Sequence, residues 1–315
     1  MSRLFRDVEG GPRCPHGSVV CIGAFDGLHL GHQALVRRTV SRARELNLPA
    51  VALSFEPLPR EFFAPAHPLP RLLLPRAKIE GLFDLGIDQV GLLRFDKKLS
   101  GLTAEEFASI VLKQRLSARE VWVGPEFRFG KGRAGDIALL RDAGQALGFA
   151  ADEIEPVQLD GERVSSTRIR AALQAGDFAL AARLLGRPYA IGGRVMHGGK
   201  LGRTLGFPTA NLRFGGKTPP LSGIYATWVH GVGRPHPSVS SLGTRPTVAG
   251  VELLLEAHLF DFTRDLYGRR IEVEFVAKLR DELKFPDLSS LTEQMNRDAE
   301  HARAILSQDQ RRAFA

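Results

Sequence analysis

Two histidines with a glycine between them are the residues whose types and spacing most directly suggest chemistry in this chain. His29 and His32 are three positions apart, and Gly31 lies between them. At that spacing two imidazoles lie one turn apart on the same face of a helix. The glycine leaves the backbone open to a ligand. Imidazoles placed in this way can hydrogen-bond phosphate oxygens, so the spacing predicts a nucleotide site.

The stretch before the histidines supplies the backbone geometry that a phosphate site needs. Residues 18–22 form an apolar run typical of a buried strand, and a helical pattern starts at residue 31. A helix that begins directly after a parallel strand points free N–H groups and the positive end of its dipole at a bound phosphate. The turn residues that we expect to contact the nucleotide are Gly23, Phe25, Asp26, Gly27 and Gly31.

A second phosphate-binding pattern follows the last predicted strand of the first half. Ser165, Ser166 and Thr167 precede a helical stretch, and Arg168 and Arg170 stand in its first turn. Hydroxyls at the start of a helix commonly cap it. Together with two arginines and the free amides they can also grip a polyphosphate, and we favour this second interpretation.

The C-terminal half contains a glycine-rich stretch, 198–211, that carries two basic residues and ends on two neutral oxygen ligands. Its order differs from a Walker A motif, which excludes a P-loop NTPase. Thr209 and Asn211 point to the same face of an extended chain. Beside ATP phosphates such oxygens suit Mg²⁺. The residues expected to bind the nucleotide here are Gly198, Gly199, Lys200, Gly202, Arg203 and Pro208.

A pair of glutamates lies further along the same half. Glu272 and Glu274 alternate with Val273 and Phe275, so the two carboxylates share one face of a predicted strand. The pattern fits a solvated polar face as well as a catalytic carboxylate. It does not choose between the two glutamates.

The elements that must position these residues change character near residue 185. Before it, strand-like and helix-like stretches alternate, which predicts a mostly parallel sheet with helices on both faces. The predicted strands are 18–23, 50–55, 89–94, 120–123 and 150–158. The predicted helices are 31–46, 75–85, 103–116, 135–147, 167–174 and 177–185.

After residue 185 the helical patterns give way to short strand-like runs separated by turns rich in glycine and proline, which predicts a small barrel. The runs 251–260 and 270–278 are interpreted as one β-hairpin, and 288–307 as a closing helix. We therefore divide the chain into domains 1–185 and 186–315. The predicted strands of the second domain are 189–195, 223–230, 251–260 and 270–278.

Composition indicates which ligands and which cellular compartment suit this protein. The formal net charge is +8, but no Lys/Arg run exceeds two residues, so the excess suits small anionic ligands better than nucleic acid. No run is long and apolar enough to span a bilayer, and the N-terminus lacks an apolar signal core. Cys14 and Cys21 are the two cysteines, and Cys21 lies inside a predicted strand. We therefore expect a cytoplasmic protein without a disulfide framework.

In this order the motifs resemble those of the prokaryotic bifunctional riboflavin kinase/FMN adenylyltransferase family, also called FAD synthetases. The resemblance covers nearly the whole chain, and it joins an H-x-G-H half to a G-F-P-T-A-N half. It implies an α/β Rossmann-like nucleotidyltransferase domain, then a small antiparallel β-barrel kinase domain with a C-terminal helix. It also implies phosphorylation of riboflavin by ATP to FMN, and adenylylation of FMN by ATP to FAD and pyrophosphate.

The resemblance further implies roles for single residues. His29 and His32 are expected to bind the ATP phosphates, with Arg170 from the family's S-S-T-x-I-R element beside them. Thr209 and Asn211 are expected near Mg²⁺ and ATP.

The V-E-F glutamate of the family falls on Glu274, which the resemblance implies to be the base. The resemblance, and not the alternating pattern, selects Glu274 over Glu272.

Three positions depart from the family's pattern. Glu126 stands where the family usually has Asn or Asp, in a stretch that can also be a plain turn with buried aromatics. Leu58 stands in place of a histidine, and Ser241 in place of an asparagine. The first two bear on adenylylation geometry, and the third bears on hydrogen bonds to the flavin.

Three functions follow as hypotheses. The first is a two-step enzyme that uses ATP, riboflavin, FMN and Mg²⁺, with no nucleic-acid or membrane partner and with homo-oligomerisation left open. The second is a chain in which only one half is active. The third is a non-catalytic regulator that binds flavin or nucleotide.

Overall fold

The computed structural model describes residues 3–198, 205–247 and 250–309. The chain forms two compact units, each described here by itself. The first unit runs to Leu69 and includes Pro75–Ser166. The second takes Pro70–Leu74 and the chain from Thr167 onward.

The first unit is built on a six-stranded parallel sheet in the order β1-β4-β3-β2-β5-β6. Its central strand β2 is buried along its whole length, which explains its continuous apolar sequence. The strands are β1 (Leu4–Phe5), β2 (Ser18–Ile22), β3 (Ala50–Glu56), β4 (Gln89–Arg94), β5 (Ala118–Val123) and β6 (Ala150–Glu153). A small hairpin of β7 (Gln158–Leu159) and β8 (Glu162–Arg163) follows.

The helices of the first unit cover the sheet. Buried side chains of α5 and its continuation, such as Phe107 and Leu112, join Val121 of β5 in one apolar core. The helices are α1 (Leu30–Glu45), α2 (Pro59–Phe63), α3 (Pro75–Asp84), α4 (Lys97–Gly101), α5 (Ala104–Glu106) with a π-helical continuation over Phe107–Arg115, and α6 (Ile137–Leu147). A 3₁₀ turn covers Lys131–Arg133.

The second unit contains a six-stranded antiparallel sheet in the order β10-β13-β12-β11-β14-β9. An antiparallel bridge between Met196 and Asn211 joins its two outer strands, so the sheet curls into a nearly closed barrel. The strands are β9 (Ala190–Arg194), β10 (Ala210–Arg213), β11 (Gly223–His230), β12 (His236–Thr247), β13 (Gly250–Leu259) and β14 (Arg270–Arg280).

Three helices complete the second unit. Phe178, the first residue of α8, lies with its ring 5.9 Å from Tyr225 and 6.3 Å from Phe275 of the barrel. Ala302 and Leu306 of α9 pack against the outer face of the barrel. The helices are α7 (Ser166–Gln174, of which Ser166 belongs to the first unit), α8 (Phe178–Leu185) and α9 (Leu288–Gln308).

The fold class predicted from the sequence is confirmed, and three details differ. The expected hairpin of 251–260 with 270–278 is wrong: β13 pairs with β12 on one edge and β10 on the other, which leaves no edge for β14. The strand predicted over 150–158 ends at Glu153. Strands β1, β8, β10 and β12 and helices α2 and α4 were not predicted, because all of them except β12 are short and β12 contains prolines and polar residues.

Within the part of the chain that the structure describes, none of the helices combines the length and the apolarity that a bilayer crossing requires.

Candidate active sites

The turn that carries the histidines of the first unit has an unusual backbone. Phe25 and Leu28 both adopt positive φ angles, 50° and 46°, and Gly27 has a φ of 94°. The turn is held from outside by Ser166, whose hydroxyl donates to the carbonyl of Asp26 over 2.8 Å. The turn connects the end of β2 at Ile22 to the start of α1 at Leu30.

His29 caps helix α1 and lies against His32. The backbone N–H of His32 donates to His29 Nδ1 over 3.3 Å, and the two rings stack with their centroids 3.7 Å apart. Burial lowers the pKa of His32 well below its ordinary value, and the neighbouring His29 and the charge of Lys78 lower it further. His32 Nδ1 is buried and has no hydrogen-bond partner among the described residues. The arrangement presents two nearby imidazoles, of which His32 is held neutral.

Gly31 makes room for this pair. A Cβ added at Gly31 would lie 3.2 Å from both Cε1 and Nδ1 of the His29 ring. The glycine between the histidines therefore permits the His29 ring to take its position over the helix end, in addition to leaving the backbone open as the sequence suggests.

A cavity of about 280 Å³ opens beside the histidines, and six of the residues predicted for this site line it. Phe25, Asp26 and Gly27 are buried within the turn itself. The predicted residues on the cavity wall are Gly23, His29, Gly31, His32, Ser165 and Ser166.

Two further predicted residues of the first site belong to the second unit. Thr167 and Arg170 lie on α7 beyond the division between the units. Arg170 is buried, and its Nε donates to the carbonyl of Pro70 over 2.6 Å. The roles of both residues toward ATP stay predictions.

Arg163 lines the same cavity and was missed by the sequence analysis. Its guanidinium donates to Glu126 Oε2 over 2.5 Å and to the carbonyl of Pro125 over 3.1 Å. Glu126 has a φ of 61° and is exposed. Its carboxylate therefore orients a cation on the cavity wall. The sequence carried no local signal for it, since Arg163 meets Glu126 from 37 residues away.

An aromatic cluster stands at the ends of the neighbouring strands β3 and β4. The rings of Phe55, Phe62 and Phe63 lie 5.7, 5.4 and 5.8 Å from that of Phe95. Phe63 is 66% exposed. Since the carboxyl ends of parallel strands share one edge of a sheet, this cluster and the histidine turn lie on the same edge.

The second unit contains a larger cavity, of about 610 Å³, between the barrel and α9. Phe207, Thr209 and Glu256 line its barrel side, and Leu291 and Met295 line its helix side. A buried ion pair ties the two sides together, with Arg280 Nη2 2.7 Å from Asp298 Oδ2. The cavity combines an apolar wall with a few polar groups, as sites for flat organic ligands do.

Thr209 and Asn211 meet a carboxylate in this unit. Thr209 Oγ1 lies 3.4 Å from Glu256 Oε1, and Asn211 pairs with Glu256 across strands β10 and β13. The Asn211 amide donates to the Thr209 carbonyl over 3.1 Å. Its Oδ1 is buried and has no hydrogen-bond partner among the described residues. A buried acceptor of this kind fits a cation or a donor supplied by a ligand.

Two neighbours hold these groups in place. Gly198 approaches Asn211 so closely that a Cβ added there would lie 2.7 Å from the amide nitrogen. His258, whose pKa burial lowers, pairs through Nδ1 with the Pro208 carbonyl at 2.9 Å. Four predicted residues of this stretch lie outside the described residues: Gly199, Lys200, Gly202 and Arg203.

The structure does not bring Glu274 to this cavity. Glu274 pairs across the sheet with Trp228, and its Oε2 lies 2.9 Å from His230 Nε2. It is buried and, like Asn211, it is not a lining residue of the cavity that holds Thr209. The base implied by the resemblance thus stays a prediction, and Glu256 is the carboxylate that the structure places beside Thr209. Sequence reasoning missed Glu256 because a single glutamate in an apolar strand carries no pattern of its own.

Comparisons with known proteins find two family models that match the chain. A family model described as FAD synthetase matches residues 11–168, and one described as riboflavin kinase matches residues 185–306. Crystal coordinates of a Streptococcus pneumoniae protein, described as a macrolide-efflux protein, match 95% of this chain and 98% of that chain, with a TM-score of 0.78 and 32% identity.

Relatives that carry the name bifunctional riboflavin kinase/FMN adenylyltransferase include the proteins of three bacteria. The protein of Escherichia coli strain K12 is 44% identical over 96% of this chain and 97% of its own length. That of Haemophilus influenzae is 42% identical over 97% and 99%, and that of Pseudomonas fluorescens is 46% identical over 92% and 93%. With both domains present over nearly its full length, the chain belongs to the bifunctional riboflavin kinase/FMN adenylyltransferase family and is a transferase with both activities.

Proposed function

We propose that the two reactions run in the two cavities just described, with adenylyl transfer at the histidine turn and phosphoryl transfer at the Thr209–Glu256 pair. The observation that carries this proposal is that each unit holds its own cavity with its own set of polar groups. The order is riboflavin to FMN in the barrel, then FMN to FAD at the parallel sheet.

In the first cavity a phosphate oxygen of FMN attacks the α-phosphate of ATP, and pyrophosphate leaves. The nucleophile is already an anion, so no base is needed. His29 and His32 hydrogen-bond the ATP phosphates, Arg163 supplies a cation on the cavity wall, and the free amides at the start of α1 face the same charge. Arg170 keeps its implied role as a further cation. Catalysis here consists of positioning and charge stabilisation.

The isoalloxazine ring of FMN is proposed to stack on the aromatic cluster around Phe95. The exposed ring of Phe63 supports this, since exposed apolar surface commonly marks a binding surface and the cluster lies on the same sheet edge as the histidine turn. Flat aromatic ligands gain from offset or edge contacts with such rings.

In the barrel cavity the 5′-hydroxyl of riboflavin attacks the γ-phosphate of ATP, and ADP leaves. The hydroxyl must lose a proton, and we propose that Glu256 accepts it, because Glu256 is the carboxylate beside Thr209. Glu274 is the competing candidate that the resemblance implied.

Thr209 and Asn211 fit the Mg²⁺ that the family implies. The buried and unpartnered Oδ1 of Asn211 and the hydroxyl of Thr209 are hard oxygen ligands, and the nucleotide phosphates would complete the coordination. When bound, the ion would neutralise charge on the transferred phosphoryl group.

The cytoplasm remains the proposed compartment. Cys14 and Cys21 are both free and buried, which supports a reducing environment. Nucleic acid is not proposed as a partner.

The test incubates the full chain with riboflavin, ATP and Mg²⁺, and separates riboflavin, FMN and FAD by chromatography. Glu256→Gln, Glu274→Gln and the double variant His29→Ala/His32→Ala are compared with the parent. The proposal requires that the first variant stop at riboflavin, that the second make both products, and that the double variant stop at FMN. FMN formation by Glu256→Gln at the parental rate would overturn the assignment of the base.

A further inference from the structure

A fully buried lysine lies in the first unit, and the proposed chemistry does not use it. Lys78, on α3, has no exposed surface and is among the largest side chains that the described part of the chain buries completely. Lysines are almost never fully buried unless they are paired, because removing an ammonium group from water is costly. Its contacts must therefore explain what this ammonium stabilises.

Two hydrogen bonds lead from Lys78 to the histidine turn. Lys78 Nζ donates to Ser54 Oγ over 3.1 Å, and Ser54 Oγ donates to the carbonyl of Ala24 over 3.1 Å. Ser54 is fully buried near the end of β3. A serine has one proton to donate, and an ammonium can only donate. Because Ser54 gives its proton to Ala24, Lys78 fixes the orientation of that hydroxyl through its lone pair.

The same helix contacts the turn at a second point. Gly81 follows Lys78 by three residues, and a Cβ added there would lie 2.6 Å from Cδ1 of Leu28. Leu28 and Phe25 hold left-handed backbone angles, which are strained for residues other than glycine. Such a turn persists only where its surroundings hold it. Helix α3 contacts it at Leu28 and, through Ser54, at Ala24.

Lys78 also acts on His32 through its charge. After burial and the neighbouring His29, the charge of Lys78 is the third cause that lowers the pKa of His32. His29 and Lys78 are the titratable groups that act on this ring. A lysine at this place thus influences both the position of the histidines and the protonation of one of them.

We propose that Lys78 is a positioning residue for adenylyl transfer, which fixes the Ala24 carbonyl through Ser54 and so holds the turn that presents His29 and His32 to the nucleotide. The proposal rests on the proposed role of the two histidines and adds the residue that supports them. Lys78 does not touch the substrate, since it has no exposed surface.

The first test compares full-length Lys78→Met, Lys78→Arg and Ser54→Ala, with exposed Lys97→Met as the matched control. Misplacing groups in a site built on positioning can cost up to about a hundredfold. We expect Lys78→Met to lower kcat for FAD synthesis from FMN by about tenfold or more, with little change in KM and with riboflavin phosphorylation unchanged. Ser54→Ala should lose less, and Lys78→Arg should recover part of the activity.

The second test measures the pKa of His32 in the same variants by NMR of the ¹⁵N-labelled imidazoles. Removing the positive charge in Lys78→Met makes protonation of His32 easier, so its pKa should rise. Ser54→Ala keeps the charge and should leave that pKa where it is. The fall in kcat without a change in KM, and its partial recovery in Lys78→Arg, separate a positioning role from a contribution to stability alone.

The results distinguish a wrong role for Lys78 from a wrong proposed function. Parental FAD synthesis by Lys78→Met, or by Ser54→Ala if Lys78→Met fails to fold, overturns the inference. An unchanged His32 pKa in folded Lys78→Met overturns it as well. If His29→Ala/His32→Ala makes FAD at the parental rate, the proposed function itself fails. If that double variant is inactive while Lys78→Met is active, only the role of Lys78 falls.

Discussion

The two units carry different groups at the sites proposed for phosphate, and the difference follows the nucleophile that each site is proposed to handle. At the histidine turn the groups proposed to meet phosphate are two imidazoles, the Arg163 guanidinium and free backbone amides. In the barrel a carboxylate, Glu256, lies 3.4 Å from Thr209. The phosphate of FMN is already an anion, whereas the hydroxyl of riboflavin must lose a proton. We infer from the comparison that the need for a base, more than the presence of ATP, determines which groups each of these two sites contains.

Replacing Glu256 by Gln is expected to have the largest effect on this comparison. Loss of a general base costs about 10²–10⁴-fold, and we expect a value near the upper end for FMN formation, because the same carboxylate contacts Thr209. FAD synthesis from added FMN should stay at the parental rate. Single-turnover assays with riboflavin and with FMN measure the two steps separately. If Glu274→Gln, rather than Glu256→Gln, loses FMN formation, the comparison fails at its central residue.

Removing both imidazoles is expected to produce the opposite loss. A donor at developing charge contributes about 10²–10³-fold, so His29→Ala/His32→Ala should lower FAD synthesis by at least about 10³-fold. FMN should then accumulate, because the barrel is untouched. Chromatography of the flavins over time measures both products, and parental FAD synthesis would remove the imidazoles from the mechanism.

Two fragments of the second unit, 186–315 and 167–315, test how far the barrel folds independently of the helices that precede it. The boundary predicted from sequence, 185/186, separates the barrel from α8 and its buried Phe178. Removing a buried phenylalanine typically costs about 3–5 kcal/mol. We therefore expect fragment 186–315 to be less stable than 167–315 by at least that amount, with both able to phosphorylate riboflavin when folded. Urea unfolding of the two fragments provides the measurement, and equal midpoints would show that α8 contributes nothing to the barrel.

Shortening Glu126 is expected to have the smallest effect. Glu126→Asp keeps the charge but moves the carboxylate back from Arg163 by about one bond, so the ion pair at 2.5 Å should weaken. FAD synthesis should fall a few-fold or stay unchanged, since exposed ion pairs contribute only about 0.2–1 kcal/mol. Riboflavin phosphorylation serves as the internal control. A large gain in FAD synthesis would instead mark the natural glutamate as an impairment.

The sequence predicted the elements that carry strong periodicity and missed those that depend on pairing. The parallel sheet and its helices followed from alternation of apolar strands with amphipathic helices. The order of the strands in the barrel could not be predicted, because turn signals do not show which strand edges are already paired. For this reason the predicted hairpin of 251–260 with 270–278 was wrong. The proximity of His29 and His32 was predictable because both lie within one local motif. Glu256 and Arg163 were missed because each becomes meaningful only beside a residue distant in sequence.

The two buried thiols have a consequence for an enzyme that handles flavins. Free flavins in light and air generate peroxide and other oxidants, and cysteines are attacked chiefly as thiolates. Burial raises the pKa of Cys14 to about 11 and that of Cys21 to about 12, so both remain protonated thiols away from solvent. These are the only two cysteines of the chain. Oxidants generated by the flavins that this enzyme binds and releases therefore find few reactive thiols to attack.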